Sequence, residues 1–237
     1  MTEELFREDA YLKTCEAKVI KINDLGGIIL DRTVFYPTGG GQPGDSGILR
    51  SSGNDMMIAT TVYDRETGEI VHVPSENQVL PDVGSMVTAA LDWDRRYLHM
   101  RMHTGLHLLC ASVPCGVTGG QIGAAKSRLD FDIGDMTLNK EEITQKINAF
   151  SDKNHDVSFY WITDQEMDDN PELVRTMSVA PPRKGGRVRL LKVGDGVVLQ
   201  PCGGTHVKNT SEIGALRVSK IENKGRRNRR VNIVFEE

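Results

Sequence analysis

Two short motifs, HTGLH and CGGTH, constrain the fold of this chain more than any other feature of its sequence. The first contains His103 and His107, and the second contains Cys202 and His206. Residues four apart on a helix share a face, so His103 and His107 can bind one ion together. Three imidazoles and one thiolate form the donor set that Zn²⁺ prefers. A fold that uses all four must close a long loop, whose cost grows slowly with length and is offset by metal binding.

The other histidines and cysteines are weaker ligand candidates. His99 lies one helical turn before His103 and is an alternative ligand, and Cys110 is the alternative thiol. His72 and His155 have no ligand-like neighbours and are predicted to be ordinary residues. No glutamate follows His103, so the chain lacks the HExxH pattern of zinc proteases.

The cysteine usage argues against a disulfide-bonded secreted protein. The chain has four cysteines, and those outside the CGGTH motif follow no regular spacing. The sequence contains no apolar signal region and no transmembrane run. We therefore expect reduced thiols, a cytoplasmic location and no membrane partner.

Charge and residue pattern both divide the 237 residues near residue 92. Residues 1–92 hold 7 Lys and Arg against 15 Asp and Glu, whereas residues 93–237 hold 22 against 18. The first part has short apolar stretches between turn signals, which predicts a small antiparallel β-barrel. The second part mixes helical patterns at 95–112 and 138–154 with strand patterns. It is therefore predicted to be an α+β, metal-binding domain. The strand patterns lie at 157–161, 188–193, 197–199, 215–221 and 231–235, and Thr163 with Glu166 predicts a capping box.

Two glycine-rich stretches have more than one interpretation. Residues 39–47 read GGGQPGDSG and lack the Lys-Ser/Thr ending of a phosphate loop, so nucleoside triphosphate binding is not predicted. This stretch is either a long hairpin loop or a loop whose backbone approaches another surface, with contacts from Gly40, Gly41, Gln42 and Asp45. Residues 119–123 read GGQIG and either present backbone N–H groups beside the metal or form a turn.

A basic segment follows the second ligand pair. Residues 217–230 hold seven basic side chains and one acidic one. A charge run on its own is typical of a solvated face. A hairpin tip at Gly225 would instead gather several guanidinium groups around one turn, a geometry suited to phosphate. The candidate phosphate contacts are Lys220, Lys224, Arg226, Arg227, Arg229 and Arg230.

These motifs together resemble a known family. HTGLH, followed by CGGTHVKNTSEIGALRVSKIENKGRRNRR, resembles the editing domain of alanyl-tRNA synthetase, and GGQPGDSG at residues 40–47 matches the GGQPxDxG element of that family. The chain has no room for an aminoacylation domain. It is similar to the freestanding alanyl-tRNA editing proteins of medium length, which keep a small barrel before the editing domain. Met102, Gly105 and Leu106 depart from common family residues without touching a ligand.

The resemblance implies an aminoacyl-tRNA deacylase that hydrolyses serine or glycine wrongly esterified to alanine tRNA. A synthetic pocket for alanine cannot exclude glycine sterically and rejects one added hydroxyl poorly, so a second, hydrolytic site is needed. A polar contact to the serine hydroxyl would spare correct alanine. Thr104 and Gln121 are candidates for that contact from their positions. No carboxylate in the motifs stands out as a general base, and zinc is either an orienting ion or the activator of a water.

Two other interpretations of the same residues stay open. A non-catalytic, zinc-stabilised RNA-binding module would use both the ligands and the basic segment. A metallohydrolase that acts on a small ester would use the metal and leave the basic segment without a role.

Overall fold

The computed structural model describes residues 2–51, 54–177 and 183–236. The chain divides into two units, Met1–Tyr97 and Leu98–Glu237. The division falls within the first helix, shortly after residue 92, where the sequence pattern changes. The α+β fold class with an N-terminal antiparallel barrel is confirmed.

The described residues form strands in both units. In chain order they are β1 (Glu3–Glu4), β2 (Thr14–Ile22), β3 (Ile28–Leu30), β4 (Arg32–Thr33), β5 (Gly47–Ser51), β6 (Asn54–Tyr63), β7 (Ile70–Pro74), β8 (Met86–Leu91), β9 (Gly116–Gln121), β10 (Lys126–Asp132), β11 (Val157–Thr163), β12 (Arg183–Lys184), β13 (Arg187–Val193), β14 (Val198–Pro201), β15 (Leu216–Asn223) and β16 (Asn228–Phe235).

The first unit is a closed barrel with the strand order β2-β3-β7-β6-β5-β8, in which β8 pairs back onto β2. All pairings within the barrel are antiparallel, whereas β1 and β4 of the same unit form a separate parallel pair. Burial alternates along β8 and the middle of β6, where Met56, Ile58, Val87, Ala89 and Leu91 are buried, because every second side chain of a strand points to the interior. The buried interior side chains are Ala17, Val19, Ile28, Leu30, Val34, Phe35, Leu49, Met56, Ile58, Val87, Ala89 and Leu91.

The second unit combines two sheets with helices. One sheet has the order β15-β16-β10-β9, and the other has β11 beside β13, with β12 and β14 also paired to β13. Helix α1 spans Trp93–Ser112, α2 spans Lys140–Ser151 and the short α3 spans Asp164–Asp168. Asn139 caps α2, and the predicted capping box of Thr163 and Glu166 is present at α3.

Helix α2 packs on the β15-β16-β10-β9 sheet as its apolar stripe predicts. Ile143 and Ile147 are buried. Asn148 receives a hydrogen bond from Leu216 N–H at 3.0 Å and donates one to the Leu216 carbonyl at 2.8 Å. Polar and apolar contacts therefore both hold the helix in position on β15.

Strands β9 and β10 are among those that the sequence did not predict. Gly119 and Gly120 lie opposite Asp130 and Leu129 in an antiparallel pairing whose register shifts after Asp130, so a turn, one of the two interpretations of residues 119–123, begins only after Gln121. Glycine and charged residues are poor strand signals, and here the tertiary pairing overrides them. No helix in the described part of the chain is both long and apolar enough to span a membrane.

Candidate metal centre

Helix α1 supplies the first two ligand candidates. His103 and His107 stack with their ring centroids 5.3 Å apart and their planes at 23°. His99 is also buried on this helix, but it is not one of the four residues whose ligand atoms cluster. The alternative ligand that the sequence offered is therefore not part of this group.

The turn after β14 supplies the other two. Cys202 Sγ lies 3.2 Å from His206 Nε2 and 3.4 Å from His103 Nε2. The two glycines between Cys202 and His206 let the chain reverse within one short motif. The ligand atoms of the four residues all lie within 4.8 Å of one another.

This geometry fits zinc. Zn–N bonds of about 2.0–2.1 Å and a Zn–S bond of about 2.3 Å set the edges of a tetrahedral site at roughly 3.5 Å. The two sulfur-to-nitrogen separations of 3.4 and 3.2 Å are close to such an edge. Three imidazoles and one buried thiol also match the metal's preferred donors. The four residues can hold a metal ion, and zinc is the ion that their chemistry favours.

The electrostatics of the cluster favour a deprotonated Cys202 thiol and a neutral His206 imidazole. Burial opposes the thiolate of Cys202, but His103, His206 and His107 outweigh it and hold the pKa of that thiol well below its usual value. Burial and the repulsion from His103 lower the pKa of His206 to about 3. Burial also disfavours charge on His107, yet Cys202 and Gln200 raise its pKa above the usual value. Metal ligation requires the thiolate and the neutral imidazole.

Two hydrogen bonds orient the ligand imidazoles. His107 Nδ1 lies 2.8 Å from Gln200 Oε1, and His206 Nδ1 lies 3.2 Å from Thr104 Oγ1. With Nδ1 donating in each case, Nε2 keeps its lone pair for a metal. Groups of this kind fix the tautomer and the ring orientation of metal-bound histidines.

Thr104 therefore differs from its predicted role as a contact to substrate serine. Its side chain is fully buried. The hydroxyl donates to the Met100 carbonyl at 2.9 Å and accepts from Val207 N–H at 3.3 Å as well as from His206. One donor and two acceptor sites are all that a hydroxyl has. None remains for a substrate hydroxyl.

Arg189 shapes the turn that carries Cys202. Its Nη1 donates to the carbonyls of Cys202 at 3.1 Å and Gly204 at 2.8 Å, and its own carbonyl accepts from Cys202 N–H at 3.0 Å. The guanidinium carbon lies 3.8 Å from the centre of the Phe159 ring. This buried cation fixes the backbone of the second ligand motif.

The comparisons with known proteins identify the family. Residues 8–95 match the family model described as tRNA synthetases class II (A). Residues 188–232 match the model of the threonyl and alanyl tRNA synthetase second additional domain. The alanyl-tRNA editing protein AlaX-M of Methanosarcina acetivorans is 35% identical, with 98% of each chain covered. AlaX-M of Pyrococcus horikoshii is 34% identical over 100% of this chain and 99% of its own. This chain belongs to the family of alanyl-tRNA editing proteins.

The alanine–tRNA ligase of Pyrobaculum calidifontis is also 34% identical, over 93% of this chain but only 25% of the ligase. The resemblance deduced from the motifs is thus confirmed. The prediction of an aminoacyl-tRNA deacylase is confirmed as well. The protein is an alanyl-tRNA editing protein and acts on tRNA.

The glycine-rich loop of this editing protein is largely built into the barrel. The Arg96 side chain donates to both oxygens of Asp45, and both side chains are buried. Gln42 is buried as well, whereas Gly40 and Gly41 are exposed with φ of 57° and 82°. The side chains of Gln42 and Asp45 are buried, which does not support their predicted RNA contacts. Of the four predicted contacts in this loop, Gly40 and Gly41 are the exposed ones.

Two glycines of the same loop are needed for packing within the barrel. A Cβ on Gly44 would lie 1.8 Å from the Thr61 carbonyl oxygen, and one on Gly47 would lie 2.3 Å from that of Ala90. The loop approaches the backbone of its own barrel at these points. Packing within the barrel therefore explains two of the five glycines in residues 39–47 without RNA.

The basic candidates lie along the β15–β16 hairpin but differ in their surroundings. Arg230 forms two hydrogen bonds with Asp130, at 2.8 and 2.9 Å, and Lys220 pairs with Glu222 at 3.0 Å. Arg229 donates to the Gly225 carbonyl at 2.9 Å and so closes the hairpin tip.

The remaining basic candidates lie at the hairpin tip. Arg227 pairs with Asp132 at 3.1 Å while its side chain is 67% exposed. In the described part of the chain, Lys224 and Arg226 are exposed and show no side-chain partner.

Gln121 lies on the exposed end of β9, where its Oε1 accepts from Arg128 Nε at 3.3 Å. A cleft beside it is lined by Gln121, Lys126, Ser127, Arg128, Glu222, Arg230 and Asn232. The residues that support the ligands, Gln200 and Arg189, were not predicted from the sequence. Gln200 is the one amide in the short apolar strand β14, and Arg189 lies between the apolar Val188 and Leu190, which are the signals that could have marked them.

Proposed function

We propose that this editing protein hydrolyses the ester that joins serine, and also glycine, to alanine tRNA, with zinc held by His103, His107, Cys202 and His206. The observation that carries the proposal is the convergence of these four ligand atoms within 4.8 Å, in a member of the alanyl-tRNA editing family. When bound, zinc would supply a Lewis acid that polarises or orients the ester carbonyl.

The chain's own residues define the rest of the chemistry. The ligand cluster contains no carboxylate that could serve as a general base. We propose that water attacks the carbonyl carbon while the ribose hydroxyl beside the ester assists the proton transfer. The ester C–O bond then breaks, and the free amino acid and tRNA are released. Gln121 stays the proposed contact to the serine hydroxyl, because the Thr104 hydroxyl is already used.

We further propose a division of labour within the chain. Residues 93–237 would hold the hydrolytic centre. They would also bind phosphates of the tRNA backbone through the hairpin tip at Lys224, Arg226 and Arg227. Residues 1–92 would select the tRNA through the exposed backbone of Gly40 and Gly41. Their net excess of eight acidic residues makes any contact of the barrel with RNA local. An activity on aminoacyl-tRNA and four free cysteines together support a cytoplasmic location.

The substrate assignment is tested with purified protein and four esters. These are seryl-, glycyl- and alanyl-tRNA for alanine, and a free serine ester without tRNA. We expect hydrolysis of the first two and sparing of alanyl-tRNA and the free ester. Equal hydrolysis of the free ester would indicate a small-ester metallohydrolase. Binding without hydrolysis of any ester would indicate a non-catalytic RNA-binding module.

A further inference from the structure

One face of the β11-β13-β14 sheet connects the metal centre to an exposed aromatic residue. Directly opposite residues of an antiparallel pair share a face, so Trp161 lies on the same face as Arg189, and Gln200 on the same face as Leu191. Leu191 is two residues from Arg189 and shares its face too. Gln200 and Arg189, which orient His107 and the Cys202 turn, therefore lie on the face that Trp161 extends.

Exposure increases along this face toward the sheet edge. Arg189 is 2% exposed, whereas Trp161 is 42% exposed on the edge strand β11. Between them Phe159 is half-buried against the Arg189 guanidinium. Exposed tryptophan is uncommon, and here it lies one strand from the residue that holds the metal-binding turn.

The charge of the same strands suits a nucleic acid. None of the residues of β11, β13 and β14 is acidic. Arg187 lies opposite Thr163, next along the face from Trp161, and is exposed with no ion pair among the described residues. A flat indole beside an unpaired guanidinium is complementary to a base and its phosphate.

We propose that the Trp161 indole stacks on the terminal nucleobase of the tRNA while the ester on the adjoining ribose lies at the metal centre. This inference rests on the proposed function, because it places the ester at the four-ligand cluster. Stacking would hold the single-stranded end in place without reading its sequence, and Arg187 would contact the neighbouring phosphate.

The chain offers a matched control in Tyr160, which is also 42% exposed but points to the opposite face of β11. Affinity for uncharged alanine tRNA is measured for the full chain with Trp161→Ala, Trp161→Phe and Tyr160→Ala. Each variant is tested with intact tRNA and with tRNA that lacks its terminal nucleotide. Metal content of each variant reports an intact centre.

We expect Trp161→Ala to weaken binding of intact tRNA roughly tenfold, the loss of about one base–aromatic stack, and Trp161→Phe to retain most affinity. Removing the terminal nucleotide should weaken wild-type binding by a similar factor and leave Trp161→Ala unaffected. In a Trp93→Phe background, intact tRNA should quench the remaining Trp161 fluorescence. The shortened tRNA should not.

The stacking assignment would be overturned if Trp161→Ala and Tyr160→Ala bound intact tRNA with equal affinity. It would also be overturned if removal of the terminal nucleotide weakened binding equally with and without Trp161. Hydrolysis of seryl-tRNA by the wild type would then still support the proposed function. Conversely, a Trp161-dependent terminal-nucleotide effect in a protein that hydrolyses no ester would refute the function and leave the stacking contact standing.

Discussion

At the scale of single residues, the candidate metal centre depends on side chains outside the four-ligand set. Gln200 and Thr104 each accept a hydrogen bond from Nδ1 of a ligand imidazole. Loss of such partners commonly weakens metal affinity 10–100-fold. The ligand set could be predicted from spacing, because HTGLH and CGGTH carry their own geometry. The supporting residues could not, because their roles arise only when distant strands and helices meet.

Thr104 offers a direct test of this supporting role. Thr104→Val removes the hydroxyl that accepts from His206 Nδ1, whereas Thr104→Ser retains it. We expect roughly a tenfold or greater loss of zinc affinity in the valine variant and little loss in the serine variant, measured by competition with a chromogenic chelator. The ratio of seryl- to glycyl-tRNA hydrolysis should stay constant. A changed ratio with unchanged zinc affinity would restore Thr104 to substrate recognition.

His72 predicts how the barrel unit responds to pH. It is buried between the Thr33 hydroxyl, 2.8 Å from Nε2, and the Ile28 carbonyl, 3.0 Å from Nδ1. Burial lowers its pKa from 6.5 to about 4. His72 therefore binds a proton below about pH 6.5 in the unfolded chain but only below about pH 4 in the folded barrel. Stability falls as the pH drops through this window, by up to about 3 kcal/mol.

The measurement is urea unfolding between pH 7 and 4.5, followed by Trp93 fluorescence in a Trp161→Phe background. His72→Gln should flatten the pH dependence by about one proton. If wild type and His72→Gln lose stability in parallel, His72 is not the group responsible.

At the scale of elements, long periodic segments were predictable and glycine-rich strands were not. The apolar stripe of α1 and the inner face of α2 follow from helical spacing, and the barrel follows from short apolar stretches between turn signals. β9 contains three glycines, and β10 has only two apolar residues, so neither carries a strong local signal. Their pairing with each other and with β16 creates the strands.

The β15–β16 hairpin tip should control the salt dependence of tRNA binding. Replacing Arg226 and Arg227 with alanine removes two exposed cations. Of these, Arg227 forms a surface ion pair with Asp132, and the loss of such a pair costs little stability. We expect weaker binding and a salt slope reduced by about one unit per lost phosphate contact. Lys192→Ala, which removes a surface cation paired with Asp195, is the matched control. An unchanged slope in the double variant would make the tip a solvated face.

At the scale of the whole molecule, charge divides near residue 92, whereas the two units meet between Tyr97 and Leu98. The first 92 residues carry the acidic excess, and every ligand candidate lies after them. The sequence predicted two parts on this ground. It could not predict that most of the GGQPGDSG loop serves the barrel, because the close approach of Gly44 to Thr61 exists only in three dimensions.

A chain that begins near Asp92 tests the proposed division of labour. It should retain one equivalent of zinc and some hydrolysis of seryl-tRNA, with far-UV circular dichroism as the check on folding. We expect it to lose discrimination between alanine tRNA and other seryl-tRNAs. Full discrimination by a folded, truncated chain would show that the barrel does not select the tRNA.

The most direct test of the account is deacylation of seryl-tRNA for alanine during zinc titration of chelator-stripped protein. Activity should be near zero in the stripped protein and rise in proportion to zinc until one equivalent per chain is bound. Cys202→Ser should require a large excess of zinc and recover little activity. Full activity of the stripped wild type, or a titration of Cys202→Ser that matches it, would contradict a deacylase built on His103, His107, Cys202 and His206.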